Sequence, residues 1–397
     1  MRIVMLLSND GFRDARVRRE ASALAGAGHE VTIFALASDR TVETEWVEGF
    51  RFRRIAPRRT GPALLWNVLL WPWHFAELAH AADREWSFDA VHAHDLDILE
   101  PARALAASRA VPLIYDSHEL FIDSLNQGFS ADCGRPRRLA RSAALAWMEA
   151  IGRWAERRGY AAAAAHITTN ESYREFLGRR YGPPNPVPID NYPPRRELGE
   201  SGRLRRELAI EESQKVILYQ GNFTHGRGLD RLIRALPLLD SEAVVVLIGW
   251  GWIRAELEAL ARELAVQDRV YIVDTVPAGE LPEYTAGADV GVMTTDPINL
   301  SRRYCTSNKL FEYLMAGLPV VVSDLPENRK VLDAYPAGEL IGDLEPATIA
   351  GAINKVLTSK RLDEMKSLGR KAVKERYNWE RERAKLIEIY ADLERSP

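Results

Sequence analysis

RIVMLLSNDGFRDARVRREASALAGAGHEVTIFAL, residues 2–36, is the stretch on which the reading of the fold turns. An unbroken apolar run, RIVMLL, leads through a polar turn into an amphipathic segment ending in glycine, and a second apolar run, VTIFAL, follows. A strand without alternation has no wet face, so it has to be covered on both sides. Two such strands joined by a helix make a βαβ unit of a parallel sheet. FDAVHAHD, VPLIYDSHE and AAHITTNES repeat the pattern downstream, each run ending in polar residues. Ligands of open α/β sheets collect at the carboxyl ends of the strands. That rule singles out Gly11, His94, Asp95, His118, Glu119 and Asn170.

Residues 181–198, YGPPNPVPIDNYPPRREL, carry six prolines and no apolar periodicity, as an extended connection between domains does. Beyond Pro188 the alternation restarts with KVILYQGN, AVVVLIGW, RVYIVDTV, ADVGVMTT and LPVVVSD, separated by helical patterns such as IRAELEALARELA. The expected fold class is therefore α/β, with two Rossmann-like, doubly wound parallel-sheet domains facing each other across a cleft. Their expected boundaries are 1–187 and 188–376, followed by an amphipathic helical stretch, 377–397, with Trp379, Leu386, Ile389 and Tyr390 on one side.

With 397 residues, 46% of them hydrophobic, the chain can bury more than one core, and a net charge of −3 removes the footprint of a general nucleic-acid binder. Cys133 and Cys305 lie too far apart to suggest a disulfide framework or a cysteine zinc site, which fits a reducing interior. The opening MRIVMLLSNDGF has too short an apolar run for a leader or a membrane span, so a cytoplasmic protein is expected. Two stretches set arginine beside tryptophan, RFRRIAPRRTGPALLWNVLLWPWHF (51–75) and GRPRRLARSAALAWMEAIGRWAERRGY (134–160). Either they dock on the anionic inner face of a membrane, or they pack an apolar side on the core and leave their arginines in solvent.

Chemistry concentrates in the second half. In YQGNFTHGRGLDRLIRAL (219–236) a strand ends at Gln220, a glycine-punctuated loop carries Asn222, His225 and Arg227, and Gly228 opens a helix. Free amides there and the fork of Arg227 suit a phosphate. Gly249-x-Gly251 follows another strand, but Arg254 stands where a third glycine would complete a dinucleotide fingerprint, and no P-loop run is present. Asp95 and Asp97 imitate a metal-binding pair, yet Asp97 begins DILEPARALAA and reads as a helix cap. His92 and His94 alone make a weak ligand set, so no metal is expected.

In TSNKLFEYLMAGLPVVVSD (306–324), Ser307 or Asn308 can cap a helix that Gly317 ends and Pro319 cannot continue. Leu310, Phe311, Leu314 and Met315 are its packing positions. Glu312 stands out among them: it is either a solvated glutamate or a carboxylate kept to accept hydrogen bonds from two neighbouring hydroxyls, the geometry of a ribose diol. Cys305 reads as a small buried apolar residue.

YDSHEL, YQGNFTHGRGL, LIGWGWIRAEL, ADVGV and SNKLFEYLMAGLPVV, in this order and spacing, resemble the retaining glycosyltransferases of family 4, which have the GT-B fold. The likeness covers nearly the whole chain, and it implies that the 377–397 helix crosses back to the N-terminal domain. It also implies that Glu312 binds the donor ribose, Arg227 the diphosphate and His118 the neighbourhood of the transferred sugar. Gly11 would bring its loop to the phosphate, with Gly249, Ser307, Asn308 and Lys309 completing the donor site and Asp14, Arg16 and Glu119 on the acceptor side. Two departures stand out: Tyr304 occupies the place of the family's first glutamate, and Asn222 that of a basic phosphate ligand, a charge that Lys309 would replace. The implied substrates are a nucleoside diphosphate sugar, expected to be UDP-linked, and a glycan, lipid-linked or small-molecule acceptor, with no metal and no cofactor. A nucleotide-sugar epimerase of similar fold, or a non-catalytic sugar-nucleotide binding protein, are the alternatives.

Overall fold

Two sheets organise the chain, each in its own unit: Met1–Asp190 with Glu382–Pro397, and Asn191–Arg381. The computed structural model describes all residues except Arg13, 57–64, 126–134, Glu200, Ala278 and 396–397. Cys133 and parts of both arginine- and tryptophan-containing stretches therefore lie outside the described residues.

The first sheet contains β1 (Arg2–Leu7), β2 (Glu30–Leu36), β3 (Thr44–Val47), β4 (Phe50–Ile55), β5 (Ala90–His94), β6 (Leu113–Ser117), β7 (Ala165–Thr168) and β8 (Val187–Pro188), in the order β3-β4-β2-β1-β5-β6-β7-β8. Only β3 runs antiparallel to its neighbour, β4. Ile3, Val4, Met5 and Leu6 are fully buried, as a strand covered on both faces requires. From β1 the chain moves to β2 on one side and later to β5 on the other, so the switch point of the sheet lies between the carboxyl ends of β1 and β5.

The structure corrects one reading here. RFRRI, taken as the start of a basic stretch, is most of β4. Phe50, Phe52 and Arg54 point inward while Arg51 and Arg53 are half-buried on the other side, the two-residue period of a strand. Arg54, only 1% exposed, donates to the carbonyls of Asp10 (2.9 Å) and Val42 (3.0 Å) and pairs with Glu45, which is how a strand can carry a charge into the core. The second stretch forms the helix Arg135–Ala162. On its packed side a Cβ added to Gly159 would lie 2.3 Å from Leu99, and one added to Gly152 2.8 Å from Trp71, so only glycine lets these elements come so close. Trp147 and Trp154 remain exposed.

The second sheet is parallel throughout, with β9 (Lys215–Asn222), β10 (Ala243–Trp250), β11 (Val270–Val273), β12 (Val290–Met293), β13 (Val320–Ser323) and β14 (Gly338–Ile341) in the order β11-β10-β9-β12-β13-β14. Along β10, Val245 and Leu247 enter one apolar cluster and Val244, Val246 and Ile248 the other, so the sheet has a core on each face. Its switch point lies between β9 and β12. The helix Trp379–Arg395 starts in the second unit and ends in the first, where Tyr390 and Leu386 are buried and Glu382 accepts from the amide of Asp190 at 2.9 Å.

Candidate active site

In the second unit the polar residues gather at the carboxyl end of β9. The helix Asn308–Ala316 buries Leu310, Phe311, Tyr313, Leu314, Met315 and Ala316, and from Leu310 onward Glu312 is its one partly exposed residue. Gly317, at φ +71°, closes the helix in the left-handed conformation that glycine takes without cost. Ser307 occupies the cap position, but its side chain makes no cap hydrogen bond. Glu312 is not a loosely solvated side chain: its carboxylate accepts a hydrogen bond from Nε2 of Gln220, the residue where the sequence reading stopped the strand without giving it a role. Gln220 is itself held by Thr285 Oγ1 (2.9 Å) and through its amide by the hydroxyl of Tyr313 (3.0 Å).

Beside this pair stand three cations. Lys309 Nζ donates to the hydroxyl of Tyr219 at 3.2 Å and lies 4.3 Å from its ring centre. Burial and the nearby Arg227 push the Lys309 ammonium down to about 7, against the pull of Glu312. Arg227 has a buried Nε with no hydrogen-bond partner among the described residues, an orphan donor of the kind that proteins fill with an anion or a water. Arg302, which the sequence reading missed, donates to the carbonyl of His225 at 2.9 Å and adds positive potential at Lys309 and Tyr219. It sits two residues before Tyr304 on the short helix Leu300–Tyr304, so its only sequence signal was an arginine near the place of the absent glutamate.

The glycines here have backbone reasons. A Cβ on Gly249 would lie 1.9 Å from the carbonyl oxygen of Gly221, and one on Gly228 2.3 Å from that of Thr294. Asn222 is exposed, and its carbonyl accepts from the Tyr219 hydroxyl at 3.0 Å.

In the first unit the switch point carries a buried charge cluster. Arg16 was expected on the acceptor side; the structure instead buries it, 4% exposed. Its guanidinium grips Asp116 at 3.0 Å, lies 2.9 Å from Glu20 and donates to the carbonyl of Ile189 at 2.6 Å. Against their burial, Arg16 and then His118 hold the Asp116 carboxyl well below the usual range, while burial pushes Glu20 up to about 8. Glu20, His92, His94 and Asp116 bring their ligand atoms within 4.8 Å of one another, a set of types that could hold a divalent ion. Arg16 already supplies positive charge among them, so the cluster is balanced from within. His92 Nδ1 meets the hydroxyl of Tyr390 at 2.9 Å.

His118 is at the rim of this cluster, its side chain 13% exposed. Its Nε2 is 3.1 Å from Asp116 Oδ2 and 3.2 Å from His94 Nδ1, and its Nδ1 is 3.4 Å from Asp95 Oδ2. Burial alone would discharge the ring, but Asp95 first and Asp116 second outweigh it and push the imidazole up to about 10. Burial also pushes the Asp95 carboxyl up to about 7, with His118 opposing. Asp14 accepts from the amide of Val17 (3.2 Å) as the cap of the helix Ala15–Gly26; its burial is outweighed by His118 and Asn9, which hold its carboxyl low and place it at the same site. Gly11, at φ +67°, takes its amide to Asn9 Oδ1 at 2.7 Å, and a Cβ there would lie 2.4 Å from Phe52. Glu119 is exposed beside His118, whereas Asn170 is spent as the cap of the helix Glu171–Tyr181.

A second correction concerns HDLD. The helix Leu96–Arg109 is preceded by Asp95, not capped by Asp97, which lies in its first turn. Asp95 has φ +71° and ψ 171°, a region glycine takes freely and other residues enter at a cost of about 1–3 kcal/mol.

Two domain families match the chain: a glycosyl transferase 4-like domain over residues 14–191 and glycosyl transferases group 1 over residues 200–375. An uncharacterised glycosyltransferase of Methanocaldococcus jannaschii is 24% identical over 386 residues, covering 93% of this chain and 91% of its own. Among solved structures, sucrose-phosphate synthase of Thermosynechococcus elongatus aligns with a TM-score of 0.78 at 18% identity, covering 100% of both chains. The Anabaena protein HepE, in complex with UDP and glucose, aligns with a TM-score of 0.74 at 14% identity, covering 99% of this chain and 100% of its own. With both domains matched in order and the fold shared along the whole chain, the protein belongs to the GT-B glycosyltransferases, enzymes that transfer sugars, with a 4-like N-terminal and a group 1 C-terminal domain.

Proposed function

We propose that this enzyme is a retaining glycosyltransferase that moves a hexose from a UDP-linked donor to a hydroxyl of a glycan, lipid-linked or small-molecule acceptor, in the cytoplasm and without a metal. The observation that carries this reading is the single carboxylate of the Asn308–Ala316 helix, held by Gln220 at the strand end beside Lys309 and an Arg227 whose Nε is buried without a partner. A carboxylate next to a cationic seat matches a ribose diol joined to a diphosphate. The choice of UDP is supported by HepE, whose structure contains it.

In this reaction the bond from the anomeric carbon to the diphosphate breaks while the bond to the acceptor oxygen forms on the same face. The acceptor proton passes to an oxygen of the departing diphosphate. Arg227, Arg302 and Lys309 meet the charge that grows on the leaving group, the role a divalent ion plays elsewhere. A diphosphate beside Lys309 holds the ammonium charged against burial and Arg227, which weaken its hold on the proton. His118 orients the sugar as a hydrogen-bond donor. Sugar transfer is therefore expected to run at an unchanged rate in excess chelator and to require an acceptor. A product formed from donor alone would favour an epimerase, and binding without turnover on any acceptor a sugar-nucleotide binding protein.

Lipid-linked acceptors lie at membrane surfaces. No helix among the described residues is long and apolar enough to cross one. Trp147 and Trp154 are exposed on one helix with the exposed Arg153, Arg157 and Arg158, a composition suited to anionic headgroups. Sedimentation with anionic vesicles at low salt is expected to pellet the protein, and pelleting should be lost in Trp147→Ala/Trp154→Ala. A protein that stays in the supernatant at low salt has no such surface.

A further inference from the structure

We propose that Asp95 is a positioning residue for the reaction: it fixes the His118 loop and keeps the proton on Nδ1 of His118, making that ring a permanent donor and excluding it as a base. The inference rests on the reading that His118 faces the transferred sugar.

Geometry carries it. One carboxylate reaches both the backbone and the ring of its target: Asp95 Oδ1 accepts from the amides of His118 (2.8 Å) and Glu119 (3.3 Å), while Oδ2 stands 3.4 Å from His118 Nδ1. The amide of Asp95 donates to the carbonyl of Asp116 at 2.8 Å, tying the same residue to the end of β6. These contacts are made from a backbone conformation that glycine would occupy without strain, so the side chain is retained at a cost, as strained residues at functional sites are.

The two nitrogens of His118 have different partners. Nε2 is within hydrogen-bond distance of Asp116 and His94, deep in the cluster. Nδ1 faces Asp95 at a distance that attracts a proton without closing a short hydrogen bond, so Nδ1–H remains available to an incoming hydroxyl. The other charged or titratable groups around the ring are Asp14 at the cap of the first helix, Arg16 and Glu20 within it, His92 on β5 and Asp97 in the first turn of the helix Leu96–Arg109, while Glu119 acts on Asp95 itself. All of these remain in an Asp95 variant, so a difference between the two pH profiles reports on Asp95.

The test is Asp95→Asn, which preserves an oxygen for the two amides and removes the charge. The ring state is read from nitrogen shifts of labelled histidine, with His118 assigned by its disappearance in His118→Gln. In the wild type both ring nitrogens are expected to stay protonated from about pH 7.5 to about pH 9, and the transfer rate to hold or rise between about pH 6.5 and about pH 8.5. In Asp95→Asn the ring is expected to lose its proton within that interval, and kcat/KM to fall about tenfold from the acid to the alkaline end. A rate lowered equally at every pH, with the ring unchanged, would mean that Asp95 only supports the fold and would overturn the proposal. So would a singly protonated His118 in the wild type at about pH 7.5, an outcome that needs no folded variant. The ring measurement needs no substrate, so a doubly protonated ring in a protein that transfers no sugar would count against the transferase reading alone.

Discussion

Arg227→Ala is expected to lower kcat for sugar transfer by about 10²–10³-fold, because it removes a preorganised donor aimed at charge that develops on the leaving group. Glu312→Ala is expected to act on binding instead. Losing a charged acceptor to a buried diol costs about 1.5–3 kcal/mol, a rise of roughly 10–150-fold in the donor Kd. Steady-state kinetics with varied donor separate the two, since a contact made only in the transition state lowers kcat while one made equally in both states raises KM. Gln220→Ala should reproduce part of the Glu312 effect, because Gln220 holds that carboxylate. Unchanged constants in both Arg227→Ala and Glu312→Ala would remove the site.

The second large effect is on stability. Arg16→Met takes from buried Asp116 and Glu20 the guanidinium that lies within about 3 Å of both and leaves His118 as the remaining cation beside Asp116, and breaking a buried pair in this way costs about 3–5 kcal/mol. The melting temperature of the first unit is expected to fall by roughly 10 °C. Lys355→Met, which breaks an exposed pair with Glu339, is the control and should change little. If Arg16→Met melts with the wild type, the cluster is not held by charge, and Asp116 and Glu20 share a proton instead.

Apolar patterning made the fold legible. Continuous runs such as AVVVLIGW can only be covered strands, and the proline-rich segment between 181 and 198 marked where one sheet gives way to the next. β4 escaped because its inward residues include Arg54, whose charge is met by carbonyls of Asp10 and Val42 that are distant in sequence. Glu312 was conspicuous because its helix is otherwise apolar, but Gln220, the residue that aims it, is 92 positions away and sits in an ordinary strand. The burial of Arg16 escaped for the same reason. It was placed on the acceptor side with Asp14, and nothing local revealed that Asp116, 100 residues on, would take it into the core. Asp95 was read as a strand-end residue and as half of a metal pair but not as a partner of His118, since a positive φ leaves no trace in a sequence when the residue is not glycine.

The claim at the centre is that the carboxylate of Glu312 and the cations beside it form one seat for a nucleoside diphosphate. Calorimetric unfolding of the wild type, Arg227→Ala and Glu312→Ala, each with UDP-hexoses and with UDP alone, tests it most directly, because a ligand bound only by the folded state raises the melting temperature. The account predicts a concentration-dependent rise in the wild type that is reduced in both variants. No rise with any nucleoside diphosphate sugar, or an equal rise in all three proteins, would contradict it.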